Sequence, residues 1–269
     1  VIPKQRTGIR EDRAAQTETG RKVPDESIAE LKASGLFGIV TPKTFGGSEL
    51  GFGALFDTVV TVGAACPSTA WVLGVVAGHS WLVNLFPEGA QQDVMRDPNA
   101  LTATLFRLGG TATPVDGGFR LVGGEGRFAS GIDHADWLVV GNQLRHPDGR
   151  EEPYFFILSK ADFQIVDDWA VMGMRGTGSK SVIVKDAFIP SHRAVSLKDM
   201  LAGTTPGGRL HGKPLYRLPF SYVAPFSIVG APIGAALGVV EEYRRMMDGR
   251  LSKAGQLELA DAGDYLGRL

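Results

Sequence analysis

The stretch Val115–Val140, VDGGFRLVGGEGRFASGIDHADWLVV, decides how the rest of the chain reads. Asp116-Gly117-Gly118 is a turn signal between two runs able to form strands. Phe119 and Leu121 alternate with Arg120, the period of a half-buried strand. Gly123, Gly124 and Gly126 let backbone, or a flat ligand, approach backbone with no Cβ in the way. Ser130-Gly131, Asp133, His134 and Trp137 follow, and then the apolar run Leu138-Val139-Val140. A hydroxyl on a strand beside glycines suits a planar heterocycle that needs hydrogen-bond donors from one edge. An ordinary hairpin whose polar residues face water has the same spacing, and is the commoner use of it.

Outward from this stretch, a period of two runs from Leu101 to about Leu197. It predicts strands at Thr102–Leu105, Gly118–Val122, Arg127–Ala129, Trp137–Val140, Tyr154–Leu158, Phe163–Val166, Ser181–Val184 and Phe188–Ile189. Short strands separated by turns, with no helices between them, predict an antiparallel barrel or sandwich over residues 101–199 and argue against a doubly wound sheet. Residues 1–100 read as a helical domain: a polar surface helix over Arg10–Arg21, a helix from Pro24 to a stop at Gly35, a buried helix Leu55–Ala65, and a helix capped by Ser68-Thr69. Trp71, Val75 and His79 are spaced by four and share a face of that last helix. Pro87-Glu88 restarts a short helix to about Met95. Residues 200–269 read as a Gly/Pro-rich loop, then helix from Ala224 and again over Leu251–Leu269. The fold class is therefore α+β, with helices on both sides of a β domain in chain order. One or two C-terminal helices leave an apolar face to be covered by another subunit or by further helices.

Composition narrows the partners. Of the 269 residues 43% are hydrophobic, enough for a sizeable core. Lys plus Arg number 28 against 29 Asp plus Glu, a balance that points to neither nucleic acid nor an anionic membrane. Cys66 is the single cysteine, which fits a reducing compartment, the cytoplasm, and leaves no thiolate metal cluster. The apolar stretch Val223–Val240 is interrupted by Pro225, Ser227 and Pro232, and reads as a packed helix rather than a membrane span.

Strong chemical motifs are missing: there is no GxGxxG between strand and helix, no Walker loop, no HExxH, no CxxC and no GxSxG. No two histidines have metal-ligand spacing. His79 lies among apolar neighbours, where a histidine is usually a satisfied core or interface residue; the alternative is a general acid/base or a hydrogen-bond partner for a ligand. Arg175-Gly176-Thr177-Gly178-Ser179 offers backbone donors, two hydroxyls and a cation, enough to hold an anion, although an exposed turn is the commoner use. The residues alone reach a three-segment α–β–α protein with a small-molecule cleft where β meets α.

Several blocks carry a resemblance that goes further. They are Leu36-Phe37 through Pro42, Phe45-Gly46-Gly47, Cys66-Pro67-Ser68-Thr69-Ala70-Trp71-Val72, His79-Ser80-Trp81, Ser130-Gly131-Ile132-Asp133-His134-Ala135-Asp136-Trp137, Met174-Arg175-Gly176-Thr177-Gly178-Ser179, and Phe188-Ile189-Pro190 with His192-Arg193. Over roughly residues 20–247 the chain resembles the oxygenase components of two-component flavin-dependent monooxygenases with an acyl-CoA dehydrogenase-like fold, of the para-hydroxyphenylacetate and phenolic secosteroid hydroxylase type. Dehydrogenases of that fold carry Thr-Glu-Pro…Gly-Ser-Asp where this chain reads Thr104-Leu105-Phe106-Arg107-Leu108-Gly109-Gly110.

The resemblance implies reduced FMN or FAD as cofactor with O2, delivered by a separate NAD(P)H-dependent flavin reductase, and hydroxylation of a small phenolic substrate through a flavin C4a-hydroperoxide. It implies Ser130 as partner of the flavin N5, and Phe128 and Ala129 beside the isoalloxazine. Thr104, Leu105 and Phe106 would run along the ring's other edge, with Arg175 and Thr177 also on the cofactor. His79 would contact the phenolic oxygen and ease its deprotonation. It further implies a homo-oligomer, a tetramer, and a C-terminal bundle with a second active-site histidine that has no counterpart before Leu269. A serine that touches the phenol in the para-hydroxyphenylacetate enzyme falls on Leu105, and a tryptophan often found near the flavin is Phe128 here. The alternatives are an acyl-CoA dehydrogenase with bound FAD, an N- or S-oxygenase on the same scaffold, and a non-enzymatic binding protein.

Overall fold

Proline and glycine punctuation sets the first five helices: α1 (Asp12–Gly20), α2 (Asp25–Ala33), α3 (Phe52–Gly63), α4 (Pro67–Val83) and α5 (Glu88–Met95). The structure, a computed structural model, describes residues 12–253. Pro24, Pro67 and Pro87 each stand at a helix start, where a missing N–H costs nothing. The cap of α4 differs from expectation. Cys66 is the N-cap, and Ser68 and Thr69 are buried in the first turn; Pro67 fixes the entry, so no hydroxyl cap is needed. α4 is apolar nearly all round and buried nearly all round, the mark of a helix inside a core. Of the expected surface helix, Arg10 and Glu11 lie outside the described residues.

Eight strands follow: β1 (Thr102–Leu105), β2 (Thr111–Val115), β3 (Gly118–Ala129), β4 (Trp137–Arg145), β5 (Glu151–Ser159), β6 (Gln164–Val166), β7 (Lys180–Pro190) and β8 (Ala194–Ser196). They form one sheet ordered β6-β7-β3-β2-β4-β5-β8, with β1 also on β4. The expected antiparallel barrel or sandwich is corrected to a mixed sheet, because β1 and β2 both run parallel to β4. The cause is local. β1 pairs with the start of β4 (Leu105 opposite Val140), the chain leaves at Phe106–Gly110, and β2 rejoins further along (Ala112 opposite Leu144). Asn142 bridges the interruption by donating from Nδ2 to the carbonyls of Leu108 (2.8 Å) and Gly109 (2.9 Å). Sequence reading misses β2 because Pro114 argues against a strand. It also splits β3, whose register slips between Gly126 and Ala129. Asp116-Gly117 makes the two-residue turn between β2 and β3, with Gly117 at φ +75°.

Alternation along the strands feeds two cores. Val139, Phe155, Ile157 and Val195 join the helical core of α2–α5, while Leu138, Val140, Phe156 and Leu158 point into the sheet's own core with Leu105, Leu121 and Val184.

The chain then forms α6 (Leu197–Ala202), α7 (Pro206–His211), α8 (Phe220–Val223) and α9 (Gly230–Lys253). Gly230, Gly234 and Gly238 bring α9 down on α3: a Cβ at 234 would meet the Val60 carbonyl and lie 2.7 Å from the Gly63 Cα. The stretch Phe220–Asp248 has the length and apolar content of a membrane span. It is nonetheless interrupted by a 3-10 turn at Ala224–Ser227 and packs on α3 and α4 as the sequence predicts. The side of α9 away from α3 exposes Ile233, Leu237 and Tyr243. Most of the helix expected over Leu251–Leu269 lies outside the described residues.

Candidate active site

Residues four apart on α4 build one wall of a slot between the helices and the sheet. Trp71, Val75 and His79 all face a cavity of about 350 Å3, in the size range of small-molecule pockets. Thr104 and Phe106 come to it from the edge of β1, and Phe128 and Ser130 from the end of β3. The loop before β7 adds Trp169, Met174, Thr177 and Ser179. A second cavity of about 270 Å3, almost wholly apolar, lies next to it between α4 and α8. Val75, His79, Phe106 and Ile228 line both. Phe106 is 59% exposed and packs its ring on Phe155 and Phe220 where the two chambers adjoin.

His79 is buried, at 9% exposure, and its Nδ1 donates to the Thr102 carbonyl at 2.9 Å. That bond assigns the tautomer: the proton sits on Nδ1 and the lone pair on Nε2. Burial pushes its pKa down to about 4, against the smaller upward pull of the Thr102 carbonyl. The imidazole is therefore neutral at pH 7 and accepts at Nε2.

Ser130 follows β3. Its Oγ accepts from Trp71 Nε1 at 3.0 Å and is 2.7 Å from Ser179 Oγ, which is 2.6 Å from Thr177 Oγ1. Thr177 Oγ1 donates to the Met174 carbonyl at 2.9 Å. Thr104 Oγ1 is buried at the slot with no hydrogen-bond partner, a cost a native fold carries only for a reason. Phe128 and Met174 both line the slot with backbones in the left-handed region (φ +74° and +58°), strain of the kind that gathers at functional sites.

The structure thus brings together His79, Ser130, Thr104, Phe106, Phe128 and Thr177. Three expected cofactor residues fall elsewhere. Leu105 and Ala129 have their side chains in the sheet's core, because alternation turns each away from a neighbour that faces the slot. Arg175 does not line the slot; its Nε lies 3.8 Å from Glu18. Asp133 and His134 take partners on different elements, Lys180 and the Val23 carbonyl. Among the described residues no group of three or more His, Cys, Asp or Glu is placed to hold a metal. Sequence reasoning missed Trp71 and Val75 as site residues, although their spacing from His79 already placed them on its face. It also missed Ser179 and Met174, which stood in the quoted loop block, and Trp169, which carried no signal.

Known proteins are similar to the chain in sequence and fold. Residues 8–94 match the family model described as acyl-CoA dehydrogenase, N-terminal domain. The chain is 37% identical over 233 residues to a pigment production hydroxylase of Rhodococcus sp. (strain ATCC 21145), covering 86% of this chain and 60% of that protein. It is also 37% identical over 243 residues to the oxygenase component of an FADH(2)-dependent resorcinol hydroxylase of Rhizobium sp. (strain MTP-10005), covering 89% and 59%. The crystal structure of 3-HSA hydroxylase from Rhodococcus sp. RHA1 superposes with a TM-score of 0.86 at 33% identity, over 90% of this chain and 62% of that one. The chain is thus a relative of flavin-dependent hydroxylases of acyl-CoA dehydrogenase-like fold. It spans about three fifths of the length of the curated relatives it matches. The Leu105 side chain is turned away from the slot; Thr104 and Phe106 face it instead.

Proposed function

We propose that this protein is the oxygenase component of a two-component flavin-dependent monooxygenase that hydroxylates a small phenolic compound. The observation that carries the reading is the junction at His79: a slot with the hydroxyls of Thr104, Ser130, Thr177 and Ser179 in its wall opens beside an almost wholly apolar chamber. A flat, mostly apolar ring with a few polar edge atoms fits the slot. The unpartnered Thr104 hydroxyl and the Ser130 hydroxyl are the groups to meet those atoms, and Trp71, Val75 and Phe128 supply apolar surface.

When bound, reduced FMN or FAD supplies the activation of O2. The chain's own residues do the rest. Trp71, Val75, Phe106 and Phe128 keep water from the reacting edge, and Ser130 and Thr104 orient the ring. His79 Nε2 accepts the phenolic proton's hydrogen bond and raises electron density on the substrate ring. At a pKa of about 4 the imidazole is a polarising acceptor more than a full proton acceptor, which refines the role the resemblance implies. The neighbouring chamber between α4 and α8 takes the body of the substrate.

The same reading includes a separate NAD(P)H-dependent reductase, a cytoplasmic site of action and a homotetramer. The exposed apolar side of α9 supports burial against another subunit or further helices. The test supplies chemically reduced FMN or FADH2 with O2 and a panel of phenols, and reads ring hydroxylation against hydrogen peroxide. Peroxide alone with every phenol rejects the reading, and anaerobic bleaching of bound flavin by an acyl-CoA replaces it with the dehydrogenase.

A further inference from the structure

Three hydroxyls stand in a row at the slot, and their hydrogen bonds leave no freedom of direction. The row begins at Trp71 Nε1, which only donates, and ends at the Met174 carbonyl, which only accepts. Each hydroxyl owns one proton. Thr177 gives its proton to Met174, so it must accept from Ser179. Ser179 has then used its proton, so it must accept from Ser130. Four hydrogen bonds take four protons, all pointing from Trp71 toward Met174. Ser130 is left with one unused site, a lone pair, at the wall of the slot.

We infer that Ser179 and Thr177 are positioning residues that polarise Ser130, so that it offers the slot an acceptor and not a donor. This rests on the flavin reading above and deepens it. A strand hydroxyl beside glycines suits a donor to one edge of a heterocycle; the row reverses that role. Reduced flavin carries a proton on N5 and can donate to Ser130. Oxidised flavin has a lone pair on N5, which would face the Ser130 lone pair. The slot is therefore built to hold the reduced cofactor and release the oxidised one, which a component fed by a separate reductase requires. Ser130 can turn its proton to an oxidised ring only by giving up a hydrogen bond within the row, so the row contributes about five-fold to the preference.

The test is anaerobic titration of the intact protein with reduced FMN or FADH2, alongside titration with the oxidised form, giving a ratio of dissociation constants. Ser179→Ala frees the Ser130 proton, so oxidised flavin binds about five-fold tighter while reduced flavin is nearly unchanged. Thr177→Val frees it through Ser179 and moves the ratio the same way. Ser179→Thr restores the hydroxyl and the ratio. Trp71→Phe leaves the acceptor end in place, so both forms weaken together and the ratio holds. A ratio unchanged in Ser179→Ala and Thr177→Val, with flavin still binding, overturns the polarised row but leaves the flavin reading standing. A parent protein that binds neither form overturns both.

Discussion

Thr104 and Leu105 are sequence neighbours on β1 with opposite fates: the Thr104 hydroxyl lies unpartnered at the slot, and the Leu105 side chain is sealed in the sheet's core against Gly126. Thr104→Val removes a buried hydroxyl that has no protein partner, so fold stability should hold or rise while flavin affinity falls. Leu105→Ala should do the reverse, costing about 2–5 kcal/mol of stability with flavin affinity nearly unchanged. Denaturant midpoints and flavin titrations on the two variants separate the roles. A flavin defect in a well-folded Leu105→Ala would put that side chain back at the cofactor.

His79 ties stability to pH. Its folded pKa, lowered from 6.5 to about 4, means that the unfolded chain takes up a proton across this window while the folded chain does not. Stability from this group is fully present above pH 6.5 and is lost as pH falls toward 4, by about 3 kcal/mol in all. Burial lowers His134 and His211 in the same direction, so His79→Asn should flatten only part of the slope. Chemical unfolding from pH 7.5 to 4.5 measures it; a His79→Asn profile parallel to the parent's would exclude a buried neutral imidazole.

Ser130→Ala should leave the protein folded but uncoupled. Without the Oγ acceptor the bound ring loses one hydrogen bond, worth about 1 kcal/mol. The share of O2 that ends in hydroxylated product should then drop several-fold in favour of hydrogen peroxide. Product and peroxide assayed together check this, and an unchanged ratio removes Ser130 from the cofactor's contacts.

Gly234 lies on the backbone of α3, where any side chain must displace the Val60 carbonyl or Gly63. Gly234→Leu should cost about 1–3 kcal/mol or more, and should disturb the adjoining chamber, since Ile228 and Pro225 sit just before α9. Thermal unfolding reads the first effect. A variant as stable as the parent would mean that α3 and α9 are not in this close contact.

Much of the fold was legible in the sequence because its cues are local. Proline and glycine marked the helix starts and the Asp116-Gly117 turn, and the spacing of Trp71, Val75 and His79 placed one wall of the slot. What stayed hidden depends on distant contacts. β2 reads as broken at Pro114, and its parallel alignment with β4 depends on a detour at Phe106–Gly110 that Asn142 fastens from another strand. The resemblance names Leu105, Ala129 and Arg175 beside residues that line the slot, but only the pleat and the turn before β7 decide where each side chain goes. The hydroxyl row was invisible because Trp71, Ser130 and Ser179 meet only in space.

Phe106 performs no chemistry, yet it lines both chambers, and it hangs from a gap in a strand edge where backbone pairing does not dictate residue size. Trimming or enlarging that single ring resizes the space available to whatever binds there and leaves His79 and Ser130 in place. Descendants of this chain can therefore change what they accept through one codon, while the polar residues of the slot are inherited intact.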